Sequence, residues 1–121
     1  MILENINNKL NLLSNNKFRN SFHLKEKDFR YIDDKGLDKI REHAYDFINK
    51  RIKFKVDNDG KQTPTHGHPI FIAQHACACC CRGCIEKWYH IPNSRELTLE
   101  EVDYIVELLM KWIEREISRR M

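Results

Sequence analysis

The chain has 121 residues with 21 Lys+Arg, 18 Asp+Glu, 6 His and 5 Cys, and a net charge of +3. That length suits one compact domain with its own hydrophobic core. The charge balance is too small for a dedicated nucleic-acid-binding face, and the longest apolar runs, 70–73 and 108–110, are far too short to span a bilayer.

Residues 1–17 read as a weakly ordered arm ahead of a single helical domain over 18–121. Ile2, Leu3, Ile6, Leu10 and Leu13 fall near helical spacing, but seven asparagines within the first twenty residues lower helix propensity. The start, Met1-Ile2-Leu3-Glu4-Asn5, has neither a basic segment nor a continuous apolar one, so no signal peptide is expected. The expected compartment is then the reducing cytoplasm, where persistent disulfides are rare.

A short helix is predicted over 25–34, stopped by Gly36. A second is predicted over 37–51, where Leu37, Ile40, Ala44, Phe47 and Ile48 form an apolar stripe. Ile52-Lys53-Phe54-Lys55-Val56 alternates strictly and predicts a short extended strand. Asp57-Asn58-Asp59-Gly60 is turn chemistry. It is not a calcium loop: with Gly60 sixth, the twelfth position is His66 instead of Glu. Nor is it a phosphate-binding loop, since the residue five before Gly60 is Lys55. The last helix carries the clearest signature. Thr98 and Glu101 have capping-box spacing, and Val102, Ile105, Val106, Leu109, Trp112 and Ile113 follow as a helical stripe. The fold class is therefore mainly α: a single small domain of four to five helices, a short extended segment, and a Cys/His-rich loop leading into a helix that packs on the C-terminal one.

The chemistry concentrates in the window 66–90. It holds all five cysteines (Cys77, Cys79, Cys80, Cys81, Cys84) and four of the six histidines (His66, His68, His75, His90). Two Cys-x-x-Cys pairs stand back to back, Cys77/Cys80 and Cys81/Cys84. Such a spacer lets two thiolates reach one metal from a single turn. A helix through the segment would also set Cys80, Cys84 and Trp88 on one face. Zinc takes four N or S ligands, and the histidines could complete the set. An iron–sulfur cluster takes up to four thiolates. A Cys-x-x-Cys at a helix N-terminus beside Arg82 also suits thiol redox chemistry. Against all three stands a merely structural cluster of small buried thiols. Glu86 is the candidate general base beside a metal, or else a solvated helical carboxylate. His23 and His43 lie outside the window and read as surface or packing residues. Trp88 and Trp112 read as core.

Several strings together resemble a small prokaryotic family, domain-of-unknown-function family 4186. They are Phe22-His23-Leu24, Lys35-Gly36-Leu37, Asp59-Gly60-Lys61-Gln62-Thr63-Pro64, Gly67-His68-Pro69, Phe71-Ile72-Ala73-Gln74-His75-Ala76, Cys80-Cys81-Arg82-Gly83-Cys84-Ile85-Glu86-Lys87-Trp88 and Arg95-Glu96-Leu97-Thr98. The resemblance spans roughly residues 18–117 and carries no established activity. It implies Cys80, Cys81, Cys84, His68 and His75 as the site, with Cys77 and Cys79 outside the family pattern. Tyr89 departs from that pattern, which weakens His90 as a ligand. The expectation is a metal-binding protein, zinc first and iron–sulfur second, hydrolytic if a coordination position is open. An interaction module with a structural metal and a thiol redox protein are the alternatives. No partner is named, and homo-oligomerisation stays open.

Overall fold

A computed structural model describes residues 4–120, so Ile2 and Leu3 of the N-terminal stripe lie outside the described residues. Six α-helices follow in order: α1 (Ile6–Ser14), α2 (Glu26–Lys35), α3 (Leu37–Phe47), α4 (Pro69–Ala76), α5 (Arg82–Tyr89) and α6 (Leu99–Arg120). A single 3-10 turn, Arg19–Ser21, lies between α1 and α2.

The spine is α6. Its N-terminus closes as its capping box requires: Thr98 Oγ1 accepts from Glu101 N–H at 3.1 Å, and Glu101 Oε1 from Thr98 N–H at 2.8 Å. Arg95 adds a two-pronged pair to the same carboxylate at 2.8 and 2.9 Å. The Arg95 hydrogen bonds, ahead of those from Thr98 and against the cost of burial, hold the Glu101 carboxyl down to about 2. Beyond the cap, Val102, Ile105, Val106, Leu108, Leu109, Met110 and Ile113 are buried against α1, α3 and α4.

The expected count of four to five helices is too low, and α1 makes part of the difference. Two asparagines cap it, Asn5 Oδ1 accepting from Asn8 N–H at 3.2 Å and Asn15 closing the far end, while Asn7 and Asn11 within it accept from Arg115 of α6. Between the caps Leu10 and Leu13 bury against α6, and Lys9 sends its ammonium to Trp88 O at 2.8 Å. The helices α2 and α3 meet at Gly36, whose φ of +84° is open to glycine and strained for other residues.

The short strand predicted over 52–56 is not formed, and no strand occurs among the described residues. The chain runs from α3 into a π-helical turn, Ile48–Ile52, closed by Lys53 N–H on Ile48 O at 2.8 Å. That turn brings both Ile48 and Ile52 into the core. Phe54, two residues on, points outward at 55% exposure, so the alternation does not mark one buried face. The Lys53 carbonyl is satisfied by Leu97 N–H at 3.0 Å and by the Arg82 guanidinium at 2.8 Å, with no neighbouring strand involved.

Candidate metal centre

The cysteines sit where α4 ends and α5 begins. His68 caps α4, and Pro69 fills its first position, where a missing N–H costs nothing. The helix stops in a Schellman turn: Cys79 N–H donates to Gln74 O at 2.8 Å and Ala78 N–H to His75 O at 3.3 Å. Ala78 holds the left-handed position at φ 58°, where glycine is usual. Three residues later Cys81 caps α5, its Sγ accepting from Cys84 N–H at 3.4 Å. Asp59 takes the other two free amides, Arg82 N–H at 3.0 Å and Gly83 N–H at 2.9 Å. The Asp59 turn thus serves as the anchor for the helix that carries Cys84. A Cβ on Gly83 would stand 3.3 Å from Asp59 Oδ2, so a small residue belongs there.

This arrangement brings together the sulfurs of Cys80, Cys81 and Cys84, all within 4.8 Å of one another. Cys84 is central, 3.2 Å from Cys81 Sγ and 3.7 Å from Cys80 Sγ. Cys80 precedes α5 instead of lying on one helical face with Cys84, and its sulfur reaches the group from the bend between α4 and α5. Thr63 holds that segment by donating to Cys80 O at 2.7 Å, and Gln74 holds Cys79 O at 3.1 Å.

The group has one further member that the sequence does not signal. Arg19, from the 3-10 turn, places its guanidinium 3.3 Å from Cys84 Sγ and 3.8 Å from Cys80 Sγ, and donates to His75 O at 2.9 Å. No local motif points to a residue more than sixty positions from the thiols; only the docking of the 3-10 turn on α4 brings it in. The hydrogen bond from the Cys80 thiol foremost, then that from Cys81 and the Arg19 guanidinium, hold the Cys84 thiol well below its ordinary value in spite of burial. The Cys80 thiol is pushed up in turn, by its hydrogen bond to Cys84 and then by burial. Burial raises Cys81 to about 11. Of the three sulfurs, negative charge is thus favoured on Cys84, the one nearest Arg19.

The remaining candidates stand elsewhere. Cys77 and Cys79 are fully buried in the core cluster, where burial pushes both thiols up, Cys79 to about 12. Cys77 O accepts from the Tyr89 hydroxyl, a core contact. The first Cys-x-x-Cys, Cys77/Cys80, is thus not assembled. His75 stacks on Phe22 with ring centroids 5.2 Å apart and has Nε2 at 3.1 Å from Thr63 O. Glu86 accepts from Asn93 N–H at 3.0 Å. His66 and His90 are exposed.

His68 belongs to a separate aromatic cluster with Tyr31, Phe47 and Phe71, ring centroids 5.1, 5.0 and 5.6 Å away. Its Nδ1 accepts from Ile70 N–H at 3.0 Å, so the neutral ring carries its proton on Nε2 and donates it to His43 Nδ1, also at 3.0 Å. Burial, then the neighbouring His43, lowers His68 from 6.5 to about 4. The unfolded chain therefore takes up this proton first as pH falls. Stability is expected in full above about pH 6.5 and to decline down to about pH 4, by up to about 3 kcal/mol. Urea unfolding across that range reads the slope. His68→Asn, which keeps a capping oxygen and does not titrate, should flatten it.

No helix of the described residues is long and apolar enough to cross a membrane. The sequence matches the family described as a domain of unknown function (DUF4186) over residues 7–114. The chain belongs to that family. The match takes in all six helices at least in part, and the three converging cysteines. No solved structure was found to match the chain.

Proposed function

We propose that this DUF4186 chain is a metal-binding protein that holds one zinc ion on the thiolates of Cys80, Cys81 and Cys84. The convergence of those three sulfurs carries the reading. Zn–S bonds of about 2.3 Å in a tetrahedron put sulfurs about 3.8 Å apart, and the observed separations of 3.7 and 3.2 Å lie close to that edge. Charge supports it as well. Three thiolates on a divalent ion leave one net negative charge, and the Arg19 guanidinium stands beside two of the sulfurs to balance it. Three sulfurs suit a single tetrahedral ion better than a cluster held by four thiolates. Three sulfurs leave the fourth position of the tetrahedron to water or another ligand; with His75 directed to Thr63 O and Glu86 to Asn93 N–H, no proton carrier is assigned beside it, and the reading stops at metal binding.

The test is anaerobic purification followed by elemental analysis, a visible spectrum and X-ray absorption at the metal edge. One colourless zinc per chain with a three-sulfur shell is expected. Broad visible absorption with iron and sulfide would move the assignment to a cluster. A metal-free chain with three reactive thiols after zinc incubation would overturn the reading.

A further inference from the structure

The three sulfurs are not equivalent toward an oxidant. Cys84 is half-buried, while Cys80 and Cys81 are 8% and 7% exposed and Cys77 and Cys79 are sealed in the core. Cys84 is thus the most exposed of the five residues, and beside its sulfur, at 3.3 Å, stands the Arg19 guanidinium, able to donate to a departing oxygen. The nearest second sulfur is Cys81 at 3.2 Å, against 3.7 Å for Cys80. A disulfide needs about 2.05 Å, so closure asks for about 1 Å of approach. The two residues sit at the N-cap and third position of α5, on a helix end capped twice over. Oxidation weakens the Cys81 cap, but Asp59 still accepts from Arg82 and Gly83 N–H.

We infer that Cys84 and Cys81 are a peroxide-sensitive pair whose oxidation to a disulfide expels the metal, so that the centre is under redox control. This rests on the metal-binding reading above. The Cys84 thiolate attacks one peroxide oxygen; the S–O bond forms, the O–O bond breaks, and the departing hydroxide takes a proton to become water. The Cys81 thiolate then attacks the Cys84 sulfur. The S–S bond forms, the S–O bond breaks, and a second hydroxide leaves and is protonated. Two thiolates lose two electrons, and hydrogen peroxide with two protons becomes two waters. Cys80 alone remains as a thiolate ligand, too few to retain the ion.

The experiment titrates the zinc-loaded full chain with hydrogen peroxide in the presence of a chromogenic chelator, and maps the products by peptide mass spectrometry. Expected are zinc release in step with peroxide, loss of two hydrogens mapped to a Cys81–Cys84 linkage, and reversal of both by a dithiol reductant. Cys77→Ala should behave as the parent. Cys81→Ser, read by mass alone, should carry Cys84 on to sulfinic acid that the reductant does not reverse. A bond to Cys80, a bond between chains, or a disulfide formed with zinc retained would each overturn this inference while leaving metal binding intact. A chain that takes up no zinc before peroxide is added fails the earlier reading and takes expulsion with it.

Discussion

Cys84→Ser is expected to weaken zinc binding by more than about 100-fold, since loss of a mere outer-shell partner of a metal ligand already costs 10- to 100-fold. Cys84 is the residue to change because its sulfur is shared, lying within 3.7 Å of both other thiols, and because it faces Arg19. The serine hydroxyl is nearly the same size but stays protonated, so it offers neither the charge nor the softness that zinc selects. Helix α5 keeps its Asp59 cap in the variant, so circular dichroism should show the fold retained while a competing chelator strips the metal. Cys77→Ala is the contrast. That thiol is fully buried and outside the group, so its loss should cost stability and leave affinity within a few-fold of the parent. Equal affinity losses in the two variants would contradict the three-sulfur assignment.

Leu109→Ala should destabilise the domain by about 2–5 kcal/mol, the range for emptying a fully packed leucine site. Leu109 is fully buried on α6, the helix against which α1, α3 and α4 all pack, in an interior where close packing resists collapse into a cavity. With a native stability of roughly 5–15 kcal/mol, that loss is a large fraction of the total, and urea unfolding should show the midpoint fall with the slope unchanged. Leu99→Ala gives the baseline: Leu99 is 78% exposed at the first position of the same helix, and its truncation should stay within about 0.5 kcal/mol. A Leu109 cost under about 1 kcal/mol would mean that α6 is not the spine.

Where a signal is local, the sequence carries it well. The α6 cap, the Gly36 break and the window holding the thiols all rest on interactions between residues a few positions apart, and each is where its spacing puts it. Where the deciding partner is distant, the sequence misleads or is silent. The asparagines of α1 lower propensity, yet burial of Leu10 and Leu13 on α6 outweighs that cost. The alternation at 52–56 has the period of a strand but no strand to pair with, and its backbone is claimed by Leu97 and Arg82 instead. The end of α4 is hidden because Ala78 takes a left-handed position that glycine usually marks.

By its sequence alone the chain determines a helical domain of the DUF4186 family with its chemistry confined to one Cys-rich segment. Spacing cannot choose among five cysteines and six histidines, because ligation depends on where side chains converge and on what already holds them. Tertiary structure shows which side chains converge and which are held elsewhere. The core takes Cys77 and Cys79, an aromatic cluster takes His68, and the Thr63–Pro64 backbone takes His75. Cys80, Cys81 and Cys84 are left facing one another, with Arg19 brought in from the far end of the chain to meet their charge.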